Sequence, residues 1–179
     1  YEMSASLVGS EMCIRDSAQT VRRDQLERMK KLHMIPSFFI AHTYYWGDVH
    51  RKQLGKRAYA ISPARTALGL DLPYTFHQDT PVLPPDMLRT VQCAVTRSTE
   101  TGAVLGREEC ISPLEALRGV TVNAAYQYFE EKEKGSIQVG KRADLVVLSA
   151  NPLKVPANEI GKIEVLVTIK EGSVQYRKA

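Results

Sequence analysis

The sequence predicts an α/β fold followed by a small β unit, and three observations carry that reading. Apolar runs suited to strands alternate with amphipathic stretches of helical spacing from residue 20 to residue 118. After residue 134 the helical spacing stops, and short strand-like runs follow one another across turns. Between these two grammars lies the charged run Glu130 to Lys134, a natural boundary near Glu133 or Lys134.

Thr20 to His33 places Val21, Leu26, Met29 and Leu32 among Arg, Glu and Lys, which predicts a helix with one wet face. Ile35 to Ala41 is an almost wholly apolar run of a length suited to a buried strand, and His42 to Asp48 follows it as an aromatic loop. Val49 to Leu54 and Pro63 to Leu70 read as short helices, the second with Pro63 in its first turn after a Ser62 cap. Leu72 to Phe76 is the next strand, Pro85 to Ser98 a helix, and Ser112-Pro113-Leu114-Glu115 a capping box that opens another helix. In the last third, Ala143 to Leu148, Ile163 to Ile169 and Ser173 to Tyr176 read as strands with no helix between them.

Composition narrows the function classes. The 179 residues are 44% hydrophobic and 25% charged, enough for a sizeable core. No apolar run approaches the roughly 20 residues that span a bilayer, which predicts no membrane partner. The net charge of +4 is spread over separate elements and alternates with acids, so a solvated surface fits better than a nucleic-acid groove. Cys13, Cys93 and Cys110 show no CxxC spacing and leave one thiol over in any disulfide scheme, which favours a reducing, cytoplasmic setting. Residues 1–17 show no period; Ser10 to Ser17 resembles translated sequencing-adaptor read-through, and this segment is set apart from the fold as unstructured. The domain expectation is therefore 18–134 for the α/β part and 135–179 for the β unit.

The chemistry-bearing stretch is Phe76-His77-Gln78-Asp79-Thr80-Pro81-Val82. Pro81, Pro84 and Pro85 cannot continue a strand, so Asp79 falls on the loop past a strand end, where α/β enzymes place reactive side chains. On the residues alone the preferred reading of Asp79 is an acid that caps its own turn before Pro81. His42 ends a strand beside Tyr44, Tyr45 and Trp46, which either wall an apolar substrate pocket or cover a rim. His33 and His50 sit in charged helical surroundings that predict exposed side chains, and His77 is expected to play a supporting role. Asn123 is expected to bond backbone near a helix end.

Four ordered motifs carry a resemblance. Gly135-Ser136-Ile137 with Gly140-Lys141, Ala143-Asp144-Leu145-Val146-Val147-Leu148 and Asn151-Pro152 resembles the closing signature of the amidohydrolase superfamily. Glu115-Ala116-Leu117-Arg118 with Thr121, Asn123-Ala124-Ala125, the Asp79-Thr80-Pro81-Val82 motif, and Ile35-Pro36-Ser37 leading to His42 are similar to its YtcJ-like branch, which includes N-substituted formamide deformylases. The resemblance implies the C-terminal part of a (β/α)8 TIM barrel, with strands seven and eight at Ile35 to Ala41 and Leu72 to Phe76, plus a portion of a composite β-sandwich. It implies a hydrolase of carbon–nitrogen bonds other than peptide bonds that acts on a small amide-type substrate with one or two divalent ions, zinc foremost. Asp79 would be metal ligand and proton-transferring base, and His42, Tyr45 and Trp46 would contact substrate. Ala18-Gln19 matches the end of a Glu-His-Ala-Gln-like motif whose histidine position holds Ser17. The other ligands of the family's set would lie outside this chain, so the chain reads as a fragment that is inactive alone. The alternative is a non-catalytic fragment or binding module that keeps the fold without a complete metal site.

Overall fold

Pro36 directly precedes one of two short parallel strands and Pro73 lies two residues before the other, and neither proline can donate to a ladder. In a computed structural model, which describes residues 17–178, strand β1 (Ser37–Phe38) lies parallel to β2 (Thr75–Phe76), with Ser37 opposite Thr75 and Phe38 opposite Phe76. The amides of Thr75 and His77 donate to the carbonyls of Pro36 and Phe38 at 3.0 and 3.2 Å. Both strands are shorter than the apolar runs suggest. Phe39 to Ala41 leave the ladder at once and turn into helix α2, the His42 amide bonding back to the Phe39 carbonyl.

Helix α1 (Arg23–Lys31) precedes β1 and buries Leu26 while Leu32 stays exposed. The crossover from β1 to β2 consists of α2 (His42–Tyr45), α3 (Gly47–Leu54), a 3₁₀ turn (Gly55–Ala60) and α4 (Ala64–Gly69). Two expectations change here. Residues 42–48 are helical apart from Trp46, and Ser62 does not cap α4: it has φ +46°, Pro63 takes the cap position, and the buried Ser62 Oγ has no partner among the described residues.

After β2 come α5 (Met87–Thr96), capped by the Asp86 carboxylate, then α6 (Pro113–Val120) and α7 (Val122–Gln127). The Ser112 and Glu115 capping box forms as the sequence predicts. Asn123 bonds backbone, but across the fold: its Nδ2 donates to the Tyr74 carbonyl at 2.9 Å and ties α7 to the residue before β2. Phe38, Phe39, Ile40, Tyr74, Phe76, Val91 and Ala116 form the centre of one buried apolar cluster.

The last third is an antiparallel sheet, β3 (Leu145–Leu148), β4 (Val165–Lys170) and β5 (Ser173–Arg177), in sequential order. A 3₁₀ turn (Ala157–Lys162) between β3 and β4 fixes this unit to α5, where Ile160 is fully buried and the Gly161 amide donates to Gln92 Oε1 at 2.7 Å. Val146, Val147, Val174 and Tyr176 of the sheet remain exposed. No helix among the described residues is long and apolar enough to cross a membrane.

Candidate active site

The end of β2 delivers the acid. Gln78, two residues past the strand, is buried and donates to the Asp86 carbonyl and to Thr90 Oγ1, which pins the segment to the start of α5. Asp79 then takes a left-handed backbone conformation, φ +51°, and its carbonyl accepts from the Val82 amide at 2.8 Å to close the turn. Its side chain is exposed, and the carboxylate accepts no hydrogen bond among the described residues. The turn is thus closed by the main chain, and the capping role open to Asp79 from sequence is not used.

The end of β1 delivers an imidazole. His42 opens α2 half-buried, its ring 4.2 Å from Phe39 and 4.8 Å from Trp46, centroid to centroid. Its Nδ1 lies 2.9 Å from Gln19 Oε1, and Gln19 Nε2 lies 2.9 Å from His50 Nε2. Burial, and then the neighbouring His50 and His77, push the His42 ring down from 6.5 to about 4, while the negative charge of Asp79 pulls the other way. That opposing pull places Asp79 in the same electrostatic neighbourhood as His42. Burial lowers His50 as well. At neutral pH both rings are uncharged.

His77 completes the cluster. Ser37 Oγ lies 2.8 Å from its Nδ1 and Ser17 Oγ 3.3 Å from its Nε2, and its ring centroid is 5.3 Å from Phe39. Ser17, the residue at the histidine position of the Glu-His-Ala-Gln-like motif, therefore faces this site.

The other candidates divide. Trp46 packs against both Phe39 and His42, whereas Tyr45 is exposed and reaches the site only through Trp46 and Tyr44. Tyr44 is occupied by the Arg89 guanidinium, 4.0 Å from its ring centroid. His33 is exposed, as expected. His50 is not: it is half-buried and bonded to Gln19, because α3 turns it back toward His42, 5.7 Å away. Sequence reading missed His50 and Gln19, although a signal for His50 exists. His42, Trp46 and His50 recur every four residues, one face of a helix, but that face is visible only once residues 42–48 are read as helix.

Cys93 is buried, which pushes its thiol up to about 12, and burial raises Cys110 too, so neither is a thiolate at neutral pH. Cys13 lies outside the described residues. Among the described residues no group of three or more His, Cys, Asp and Glu side chains is arranged to hold a metal ion. Nδ1 of His42, Nε2 of His50 and both ring nitrogens of His77 already face protein partners. These residues do not compose a metal centre by themselves.

An acid and neutral imidazoles at the ends of parallel strands fit a hydrolase, and comparison with known proteins agrees. Residues 8–176 match the amidohydrolase family. The chain belongs to that family. The chain is 31% identical over 135 residues to the N-substituted formamide deformylase of Arthrobacter pascens, covering 74% of this chain and 25% of the relative. It is 27% identical over 169 residues to YtcJ of Bacillus subtilis (strain 168), named as an amidohydrolase, covering 90% of this chain and 31% of that one. These relatives put it in the YtcJ-like branch. Among solved structures, an uncharacterized metal-dependent hydrolase from Pyrococcus horikoshii OT3 superposes with a TM-score of 0.67 at 26% identity, covering 79% of this chain and 29% of that one. The chain thus spans about a quarter to a third of the length of these proteins. The family match begins at residue 8, ten residues before Ala18, and so takes in part of the segment set apart by its sequence.

Proposed function

We propose that this chain carries the strand-seven and strand-eight edge of the active site of a metal-dependent hydrolase, with Asp79 as the proton-transferring carboxylate. The substrate class is a small molecule with a carbon–nitrogen bond other than a peptide bond. The observation that carries this reading is the placement of Asp79: a carboxylate free of turn bonding, on a turn after a parallel strand, within the electrostatic reach of His42. A carboxylate so placed takes a proton from attacking water and passes it to the leaving nitrogen. His42 and Trp46 form the substrate-facing wall, with Tyr45 at its outer edge. Asp79 would be this chain's ligand to a divalent ion, zinc foremost, which when bound would supply Lewis acidity and acidify a water. The remaining ligands lie outside the described residues. The solved metal-dependent hydrolase structure and the deformylase relative support this reading.

The test is a chimera in which this chain replaces the corresponding segment of the Arthrobacter pascens deformylase, assayed on an N-substituted formamide. The parent chimera turns over, and Asp79→Asn lowers kcat by about 10²-fold or more, the usual size of a general-base loss. Asparagine also tolerates the left-handed backbone, so the fold should be unaffected. An Asp79→Asn chimera as active as its parent would overturn the assignment.

The absence of a three-ligand cluster among the described residues favours a second reading, a binding module that keeps the fold without the chemistry. An inactive parent chimera with intact fold would favour that module. Tight zinc binding and hydrolysis by this chain alone would show that it needs no outside ligands.

A further inference from the structure

The side chain of Gln19 spans two imidazoles, and its chemistry constrains both. A primary amide has one acceptor and one donor end, so it satisfies both rings only when one facing nitrogen carries hydrogen and the other does not. Here the carbonyl faces Nδ1 of His42 and the NH₂ faces Nε2 of His50, each at 2.9 Å. His42 then carries its hydrogen on Nδ1 and leaves Nε2 with a bare lone pair.

The placement of Gln19 is anchored from inside the protein. Its main-chain carbonyl accepts from the Ser62 amide at 2.6 Å. The Ser62 carbonyl accepts in turn from Arg97 Nη1 at 3.1 Å, and Arg97 is fully buried, with Nε and Nη2 held by the carbonyls of Leu105 and Ile61. The amide is thus tied to a fixed interior arginine on one side and to two rings on the other.

We propose that Gln19 is a positioning residue that makes His42 a hydrogen-bond acceptor toward substrate, its bare Nε2 receiving the N–H of an amide. This rests on the reading of His42 as a substrate contact. A hydrogen on Nε2 would instead suit the ring to an oxyanion, so Gln19 decides which end of an amide the ring can hold.

Long-range ¹H–¹⁵N spectra of histidine-labelled chain at neutral pH read the tautomer directly and need neither metal nor turnover, so this inference and the assignment of Asp79 fail separately. His42 should show a pyrrole-like Nδ1 and a pyridine-like Nε2, and His50 the same pattern. The Gln19→Glu carboxylate accepts from both rings, so His42 should keep its pattern while His50 switches its hydrogen to Nε2. Gln19→Leu should give averaged nitrogen shifts for both. Hydrogen on Nε2 of His42 in the natural sequence, averaged shifts there, or an unchanged His50 in Gln19→Glu would each overturn the proposal. Should Gln19→Leu fail to fold, the natural sequence and Gln19→Glu still decide.

Discussion

Gly119 of α6 lies face to face with Phe76 of β2: a Cβ built on the glycine would sit 2.8 Å from Phe76 Cε2 and 3.3 Å from Tyr74 Cε2. This contact lets the helix approach the strand whose exit carries Asp79.

Gly119→Ala sets two effects against each other. Alanine gains about 1 kcal/mol of helix propensity, while overpacking against two buried aromatic rings costs about 1–3 kcal/mol. The rings cannot swing away, because both Tyr74 and Phe76 are buried. Urea unfolding should show a net loss of about 1 kcal/mol, and a gain would mean that α6 slides freely on β2.

Arg97→Met should be more damaging. The guanidinium donates to three carbonyls, of Ile61, Ser62 and Leu105; that of Ser62 keeps the Ala64 amide at 2.8 Å, while each of the other two left unpaired costs about 1–3 kcal/mol. Methionine fills similar space but donates nothing, so the expected loss is about 3 kcal/mol or more by denaturant titration. Burial disfavours the Arg97 charge, the nearby Glu109 supports it, and the guanidinium's hydrogen bonds go to the three carbonyls.

Acid should destabilise the protein through its imidazoles. The folded chain holds His42 neutral down to about pH 4, whereas the unfolded chain takes up the proton near 6.5, and His50 is shifted in the same direction. Between those values the unfolded state binds more protons, so stability is full above about 6.5 and falls as pH drops toward 4. Thermal melts from pH 7 to pH 4 should show a falling Tm, and His42→Gln should flatten that slope. An equally steep slope in His42→Gln would assign the acid limb to other groups.

Local chemistry made much of this fold legible. The Ser112–Glu115 box, the wet-faced helix at Arg23–Lys31, the order of strands and helices, and the turn at Asp79 all depend on neighbours within a few residues, which the chain displays in order. The site was less legible because its bonds are long-range: Gln19 meets His42 and His50 across 23 and 31 positions, and Ser37 meets His77 across 40. No periodicity announces such pairs. His50 was misjudged for a related reason, since its charged sequence neighbours describe the outer side of α3 and not the side turned toward His42. The strands came out short because an apolar run reports burial, and Phe39 to Ala41 are as buried in a turn as they would be in a ladder.

The left-handed backbone at residue 79 narrows what evolution can try there. At φ +51° aspartate, asparagine and glycine are comfortable, and of these only aspartate ionises. Glutamate, the nearest chemical substitute, is disfavoured by conformation before its chemistry is ever tested. Drift at this position therefore has few small steps: it keeps the acid or loses the charge, and an inactive relative should more often carry asparagine or glycine than a longer acid.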